Sequence, residues 1–288
     1  MGVDYIITVL LSSLASASIL LIATAGLAVV FGLMGVINLA HGEFIMFGAY
    51  TALIVTKAGV PFPLAVLVAT IATAMFGAIV EKLIIRHLYG RLFDTLLATW
   101  GLSLVLYQVA VLLFGTVTSG IGMPVSNVAI GEYSISTYML FLILIAAVMI
   151  TATYLLMTKT SYGVMARASI QDANMAKAIG IRSEHINTTT FALGCGLAGF
   201  AGAILVPAIP ATPTMGFAFV IKAFLIVVAA GPVTLTGSVV AGGGLGVVTS
   251  SISSFWTTSA GDLLFFVITI GILRFFPQGI TEKWRMKL

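Results

Sequence analysis

The sequence predicts an all-α, polytopic integral membrane protein: a bundle of eight or nine spanning helices with room for one broken helix. Three observations predict it. Hydrophobic residues fill 60% of the 288 positions, and the mean hydropathy is +1.18. Only 8% are charged, where a soluble domain carries roughly a quarter. Apolar runs of the length needed to cross a bilayer, about 20 residues, recur throughout. Residues 1–288 therefore read as one transmembrane domain with no separate soluble domain. A net charge of +4 could suggest nucleic acid. The basic residues instead lie at the ends of apolar runs, where membrane proteins anchor, so no nucleic-acid partner is expected.

Spans are expected near 5–32, 37–58, 63–85, 93–114, 136–158, 187–208, 236–254 and 260–276. The opening run has no basic start and is too long for a signal-peptide core, so it reads as a retained first span. It is also too long for one crossing, and Gly32, Gly35 and Gly42 allow a turn or break after it. There "GVINLAHGEFIMFGAY" places Asn38, His41 and Glu43 between two apolar runs. Asn38 and Glu43 could cap the second helix at the cytoplasmic surface, where an acidic first turn suits the helix dipole. Alternatively the three residues line or gate the inner mouth of a solute pathway, the usual setting for polar groups at membrane depth.

On the fourth span, Gln108 is expected to face protein or the pathway rather than lipid. Residues 115–135 are rich in turn formers and short strand-like pieces. The prolines of "PAIPATPTMG" should end the helix before them. Within 187–208, Gly194, Ala198 and Gly202 recur every four residues, which is close-packing chemistry. The apolar piece 217–230 is short for a crossing and reads as a tilted span or a half-helix. It carries Lys222, which either snorkels to the outer interface or points at a solute's carboxylate.

Lys82, Arg86 and Arg91, then Lys159, Arg167, Lys177 and Arg182, then Lys283, Arg285 and Lys287 form three basic segments. All three are expected to be cytoplasmic, which puts the N-terminus outside and the C-terminus in the cytoplasm. The count of crossings after residue 185 favours a crossing at 217–230. Segment 159–186 has the polarity of a soluble protein, and a short amphipathic helix is expected over 164–179, with Gly180 as a left-handed cap.

No metal or cofactor site is expected. Cys195 is the one cysteine, and His41, His87 and His185 are far apart in sequence. No GxxxxGK[ST] phosphate loop occurs, so the chain is not expected to be an ATPase or another enzyme. Ionisable residues within spans are too few for a proton relay, which disfavours a stand-alone ion-coupled carrier.

"FGLMGVINLAHGEFIMFGAY", "TLLATWGLSLVL" and "DANMAKAIGIRSEHINTTTFALGCGLAGFAGAIL" occur in this order. They resemble the permease subunits of branched-chain amino acid ABC importers and their relatives for urea or short amides. One departure is "AAGPVTLTGSVVAGGGLG", where Pro232 interrupts a stretch that is Gly-rich in the family. The resemblance implies that 164–182 is a coupling helix docked in a groove of an ATPase subunit, through Arg167, Asp172, Ala176, Gly180, Ile181 and Arg182. It implies a second related permease, two ATPase subunits, an external solute-binding protein and a bacterial inner-membrane location. The expected solute is a branched-chain or hydrophobic amino acid, with urea or a short amide as the alternative. Asn38, His41, Glu43, Gln108 and Lys222 are the pathway candidates.

Overall fold

The structure is a computed structural model that describes residues 3–282 except 117, 123–125, 132 and 232. Pro232 and the tail residues Lys283, Trp284, Arg285 and Lys287 lie outside the described residues. Eleven α-helices are found among the described residues: α1 Val3–Met34, α2 His41–Lys57, α3 Phe62–Leu83, α4 Leu92–Phe114, α5 Thr137–Lys159, α6 Ser161–Gln171, α7 Ala173–Ala178, α8 Ser183–Leu205, α9 Met215–Ala230, α10 Thr234–Phe255 and α11 Thr258–Phe275. A 3₁₀ turn, Ile85–Leu88, precedes α4, and an antiparallel hairpin joins Asn127–Ile130 to Tyr133–Ser136 ahead of α5. Seven helices are long and apolar enough to cross a membrane: α1, α3, α4, α5, α8, α10 and α11. The all-helical, multi-pass architecture is the one the composition predicts.

The bundle has two ends. At the head, Tyr5 packs on Tyr133 and Phe255 at ring-centroid distances of 5.6 and 6.2 Å. There the chain after α4 also pairs with the chain after α8 through two backbone hydrogen bonds between Ser119 and Ala211. At the tail, the end of α9 is tied to the chain after α11, with Ile280 N–H donating to Ala229 (2.9 Å) and Thr281 N–H to Ala230 (3.1 Å). The helices α6 and α7 and the 3₁₀ turn also sit at the tail.

α2 and α9 are the exceptions to full crossing. They have 17 and 16 residues, about 25 Å each at 1.5 Å per residue. Both start inside the bundle. α2 runs to the head, where a short turn leads into α3, and α9 runs to the tail. Their first turns touch: a side chain at Gly42 would land on the backbone of Gly216, so both must be glycine for the two helix starts to approach this closely. The span expected over 37–58 therefore begins late. Residues 35–40 are irregular, and Gly35 takes a left-handed φ of 62° that turns the chain back into the bundle. The span expected over 187–208 begins early, at Ser183, and ends at Leu205 two residues before Pro207.

The packing is internally inverted. α3 lies along α8 much as α10 lies along α1, and α2 packs on α8 and α3 as α9 packs on α1 and α10. Each short helix then touches the outer helix of its own set, α2 with α4 and α9 with α11. The sets α1–α4 and α8–α11 run in opposite senses, the inverted-repeat pattern that many transporters use around a central site. The expected small-residue face on α8 supplies the close approach. Gly194 meets Gly26 and Val30 of α1, Ala198 is fully buried, and Gly202 meets Ile45 of α2.

Candidate solute pathway

Asn38, His41 and Glu43 are all buried, each with 1% exposure or less. They do not cap a helix at a surface, because α2 starts too deep. His41 Nε2–H donates to the carbonyl of Ala23 (2.9 Å), and Ala23 lies about 16 Å along α1 from its tail end. That is about half of a 30 Å hydrocarbon core. Asn38 Oδ1 accepts from Ala40 N–H (3.1 Å) within the irregular segment. Glu43 Oε1 accepts from Ser103 Oγ (3.1 Å), and Ser103 is the middle residue of α4. Thr99 of α4 adds hydrogen bonds to the same segment: it accepts from Leu39 N–H (3.1 Å) and donates to the Ile37 carbonyl (3.3 Å).

Three polar atoms in this knot have no partner among the described residues: Asn38 Nδ2, His41 Nδ1 and Glu43 Oε2. Buried polar groups in folded proteins are nearly always hydrogen-bonded, because leaving one bare costs about 1–3 kcal/mol. Three together mark this segment as unusual. Glu43 also lines an apolar cavity of about 320 Å³ between α2, α3 and α4.

Lys222 and its surroundings form a second polar region. Lys222 Nζ donates to Asp262 Oδ1 of α11 (2.7 Å), and the two side chains keep 29% and 49% of their surface exposed. They face a cavity of about 460 Å³ that also holds Ser16, Thr249, Ser250, Ser253 and Thr258. Ser250 donates to Ser16 (3.1 Å) on the cavity wall, and Ser13 pairs with Ser251 (3.1 Å), so hydroxyls link α1 to α10. The ammonium of Lys222 is not free in this structure. It is taken by Asp262.

Gln108 is exposed on the outer side of α4, away from Ser103. It lines neither of the two cavities. Its neighbours Trp100 and Tyr107 do reach inward, to Phe217 in the first turn of α9, at ring-centroid distances of 6.5 and 5.5 Å.

The polar segment after α5 forms two helices, α6 and α7, instead of one over 164–179. Asp172 breaks it: its backbone is extended and its carboxylate accepts from Asn174 N–H (2.9 Å) and Met175 N–H (3.0 Å), capping α7. Gly180 closes α7 with φ 89°, the left-handed cap expected for it. Arg167 is tied to the Met157 carbonyl at the end of α5. Tyr162 pairs with Thr190 of α8 (2.6 Å). Ala176 is buried against its own chain, whereas Asp172, Gly180 and Arg182 are exposed and Ile181 is half-buried. Val164, Ile170, Met175 and Ile179 are 45–70% exposed, an apolar set on an otherwise polar projection.

Three contacts escaped sequence reasoning. Asp262 and Ser103 are far from Lys222 and Glu43 in sequence, and only folding brings them together. Glu81, near the tail end of α3, makes the third. It is fully buried and accepts from Tyr89 Oη (2.7 Å) and Thr188 Oγ1 (2.7 Å), with Arg86 at 3.6 Å. Burial, together with the Glu81 carboxylate, pushes the Tyr89 phenol up. This tail-end cluster bolts α3 to α8.

A protein family described as the branched-chain amino acid transport system / permease component matches residues 9–273. The chain is 30% identical over 277 residues to the high-affinity branched-chain amino acid transport system permease protein BraD of Pseudomonas aeruginosa, with 90% of each chain covered. It is 25% identical over 277 residues to the corresponding LivH protein of Escherichia coli, covering 90% of this chain and 89% of that one. The probable LivH permease of Methanocaldococcus jannaschii is 25% identical over 288 residues, with 92% and 89% covered. Among solved structures, PsaBC from Streptococcus pneumoniae in complex with Fab aligns with a TM-score of 0.50 at 14% identity, covering 91% of this chain and 90% of that one. That likeness speaks to the fold alone.

Proposed function

This chain belongs to the family of branched-chain amino acid transport permease components, and from that premise we propose that it is the membrane-spanning subunit of an ATP-driven importer for branched-chain and other hydrophobic amino acids. It pairs with a second related permease in the bacterial inner membrane, with lipid around the bundle. The head faces outward and receives solute from an external binding protein. The tail faces the cytoplasm and carries two ATPase subunits.

The α6–α7 projection is the observation that carries this reading. Its exposed Val164, Ile170, Met175 and Ile179 suit a groove in a protein partner better than water. Arg167 and Tyr162 root it on α5 and α8, so a push at α7 would reach spanning helices. Asp172, Gly180, Ile181 and Arg182 form the contact rim with the ATPase, and Ala176 holds α7 to the bundle. ATP binding closes the ATPase pair and displaces the projection. The spans tilt and access switches from head to tail, and hydrolysis resets the cycle. An apolar cavity beside a lone carboxylate suits a hydrophobic amino acid better than urea.

The test is site-directed cross-linking in the assembled transporter. Cys195 is buried, so cysteines introduced at Met175 and Ile179 should react selectively. They are expected to cross-link to the ATPase and to lose ATP-driven leucine uptake when linked. Leucine uptake by the isolated chain in ATP-free vesicles, with no such cross-link, would replace this reading with a stand-alone carrier. Asp172→Ala should loosen the start of α7 by about 1 kcal/mol. ATP hydrolysis should then run with less uptake, while the melting temperature of the bundle stays unchanged.

A further inference from the structure

The cavity between α2, α3 and α4 has a wall of Met46, Phe47, Phe76, Leu106, Ala110 and Phe114. Against that wall stand two polar groups with vacant hydrogen-bonding capacity. Glu43 Oε2 has no partner, although Oε1 is held by Ser103. Tyr50 Oη has none either, and its ring is fixed by stacking on Phe114 at 4.1 Å. Both residues are buried, at 1% and 4% exposure. They lie seven residues apart on α2, two turns or about 10 Å along one face. A packing defect filled by a lipid chain would leave both groups bare in a dry site, at about 1–3 kcal/mol each. The vacancies therefore call for an occupant that carries both a cation and an acceptor and has apolar surface beside them.

We infer that Glu43, Tyr50 and this cavity form a binding subsite for a hydrophobic α-amino acid. Glu43 Oε2 takes the ammonium group, Tyr50 Oη donates to the carboxylate, and the apolar wall takes the side chain. The volume of about 320 Å³ falls at the small end of ligand pockets, which run from about 300 Å³ upward. That size suits a single amino acid. Glu43 lies at half depth beside the meeting point of two helix starts, and the cavity runs from it toward the head, where Ile54 and Phe114 line it. α4 forms one wall and, among the described residues, is hydrogen-bonded to α2 at Ser103 alone, besides the Thr99 contacts to the preceding loop. Movement of α4 would therefore open or close the subsite. This inference rests on the importer reading above.

The experiment measures leucine and valine uptake by the full transporter, with ATPase and binding protein, in proteoliposomes. Glu43→Gln and Tyr50→Phe keep shape and remove the charge or the hydroxyl. Each is expected to raise the KM for leucine, about tenfold or more for Glu43→Gln. Ala110→Leu shortens the cavity and should shift preference from leucine toward valine by about tenfold. Gly243→Ala on α10, where nothing lies within 4 Å, is the control and should change neither. Unchanged leucine KM in Glu43→Gln, with an unchanged leucine-to-valine ratio in Ala110→Leu, overturns the subsite and leaves the importer reading standing. Should Glu43→Gln fail to assemble, the Ala110→Leu ratio decides alone. A wild-type transporter that imports urea and no amino acid overturns both readings.

Discussion

Glu43 and Lys222 can be compared across the two inverted halves, one in the first turn of α2 and the other midway along α9. Each sits on the short helix of its half, and each touches the outer helix of that half through one polar contact. Glu43 reaches Ser103 on α4 (3.1 Å), and Lys222 reaches Asp262 on α11 (2.7 Å). The surroundings differ sharply. Glu43 is sealed in the bundle beside an apolar cavity, and one of its oxygens has no partner. Lys222 faces an open, hydroxyl-lined cavity and spends its charge on Asp262. An ion pair neutralises itself and ties α9 to α11 with no help from a solute. A lone carboxylate held by one hydroxyl is incomplete until something cationic arrives. The same architecture thus supplies one half with a strut and the other with a vacancy.

The comparison breaks first if the start of α2 is not packed as tightly as the helix contacts imply. Gly42→Val would drive a branched side chain into the backbone of Gly216, where neither helix start can yield without moving the other. The expected loss exceeds about 3 kcal/mol and should appear as little monodisperse protein after detergent extraction. A Cβ at Gly244 on α10 meets nothing within 4 Å, and Gly244→Val should extract normally. Equal yields from the two would mean that the α2–α9 contact is loose. A smaller effect is expected at His41, whose Nε2–H bond to Ala23 (2.9 Å) fixes the depth of α2. His41→Leu removes that bond from a dry site and should lower the stability of the bundle by about 1–2 kcal/mol, read as a drop in melting temperature. A melting temperature equal to wild type would show that something else sets the depth.

What the sequence made legible follows from what a linear pattern encodes. The spans were readable because each needs its own unbroken apolar run. The small-residue face on α8 was readable because Gly194, Ala198 and Gly202 recur at helical spacing. Gly180 was readable as a cap because it ends a polar run. The depth of Asn38, His41 and Glu43 was not. A polar cluster between two apolar runs reads the same at a surface as at mid-depth, and only the packing of α2 against Ala23 separates the cases. The break at Asp172 was hidden too. Aspartate is tolerated in helices, and the competing bonds to Asn174 and Met175 are a matter of local geometry. Lys222–Asp262 and Glu43–Ser103 join residues 40 and 60 positions apart. No periodicity within one helix carries such pairings, and an inverted repeat leaves little trace when its two copies have diverged in sequence.

The smallest effect on stability is expected at the ion pair, and it sharpens the contrast most. Exposed pairs contribute about 0–1 kcal/mol because water and salt screen them. The pair's exposures of 29% and 49% place it near that limit. Asp262→Asn should therefore shift the melting temperature barely, far less than His41→Leu. The charge-swapped double variant, Lys222→Asp with Asp262→Lys, keeps one charge of each sign facing the cavity. A strut needs only opposite charges at this spot, so the double variant should recover leucine uptake that either single variant loses. A solute-reading lysine would behave otherwise, because moving the positive charge from α9 to α11 changes where a carboxylate is met. Failure of the swap to restore uptake, with melting temperature intact, would show that Lys222 reads the solute, and the two halves would then be alike in function as well as in fold.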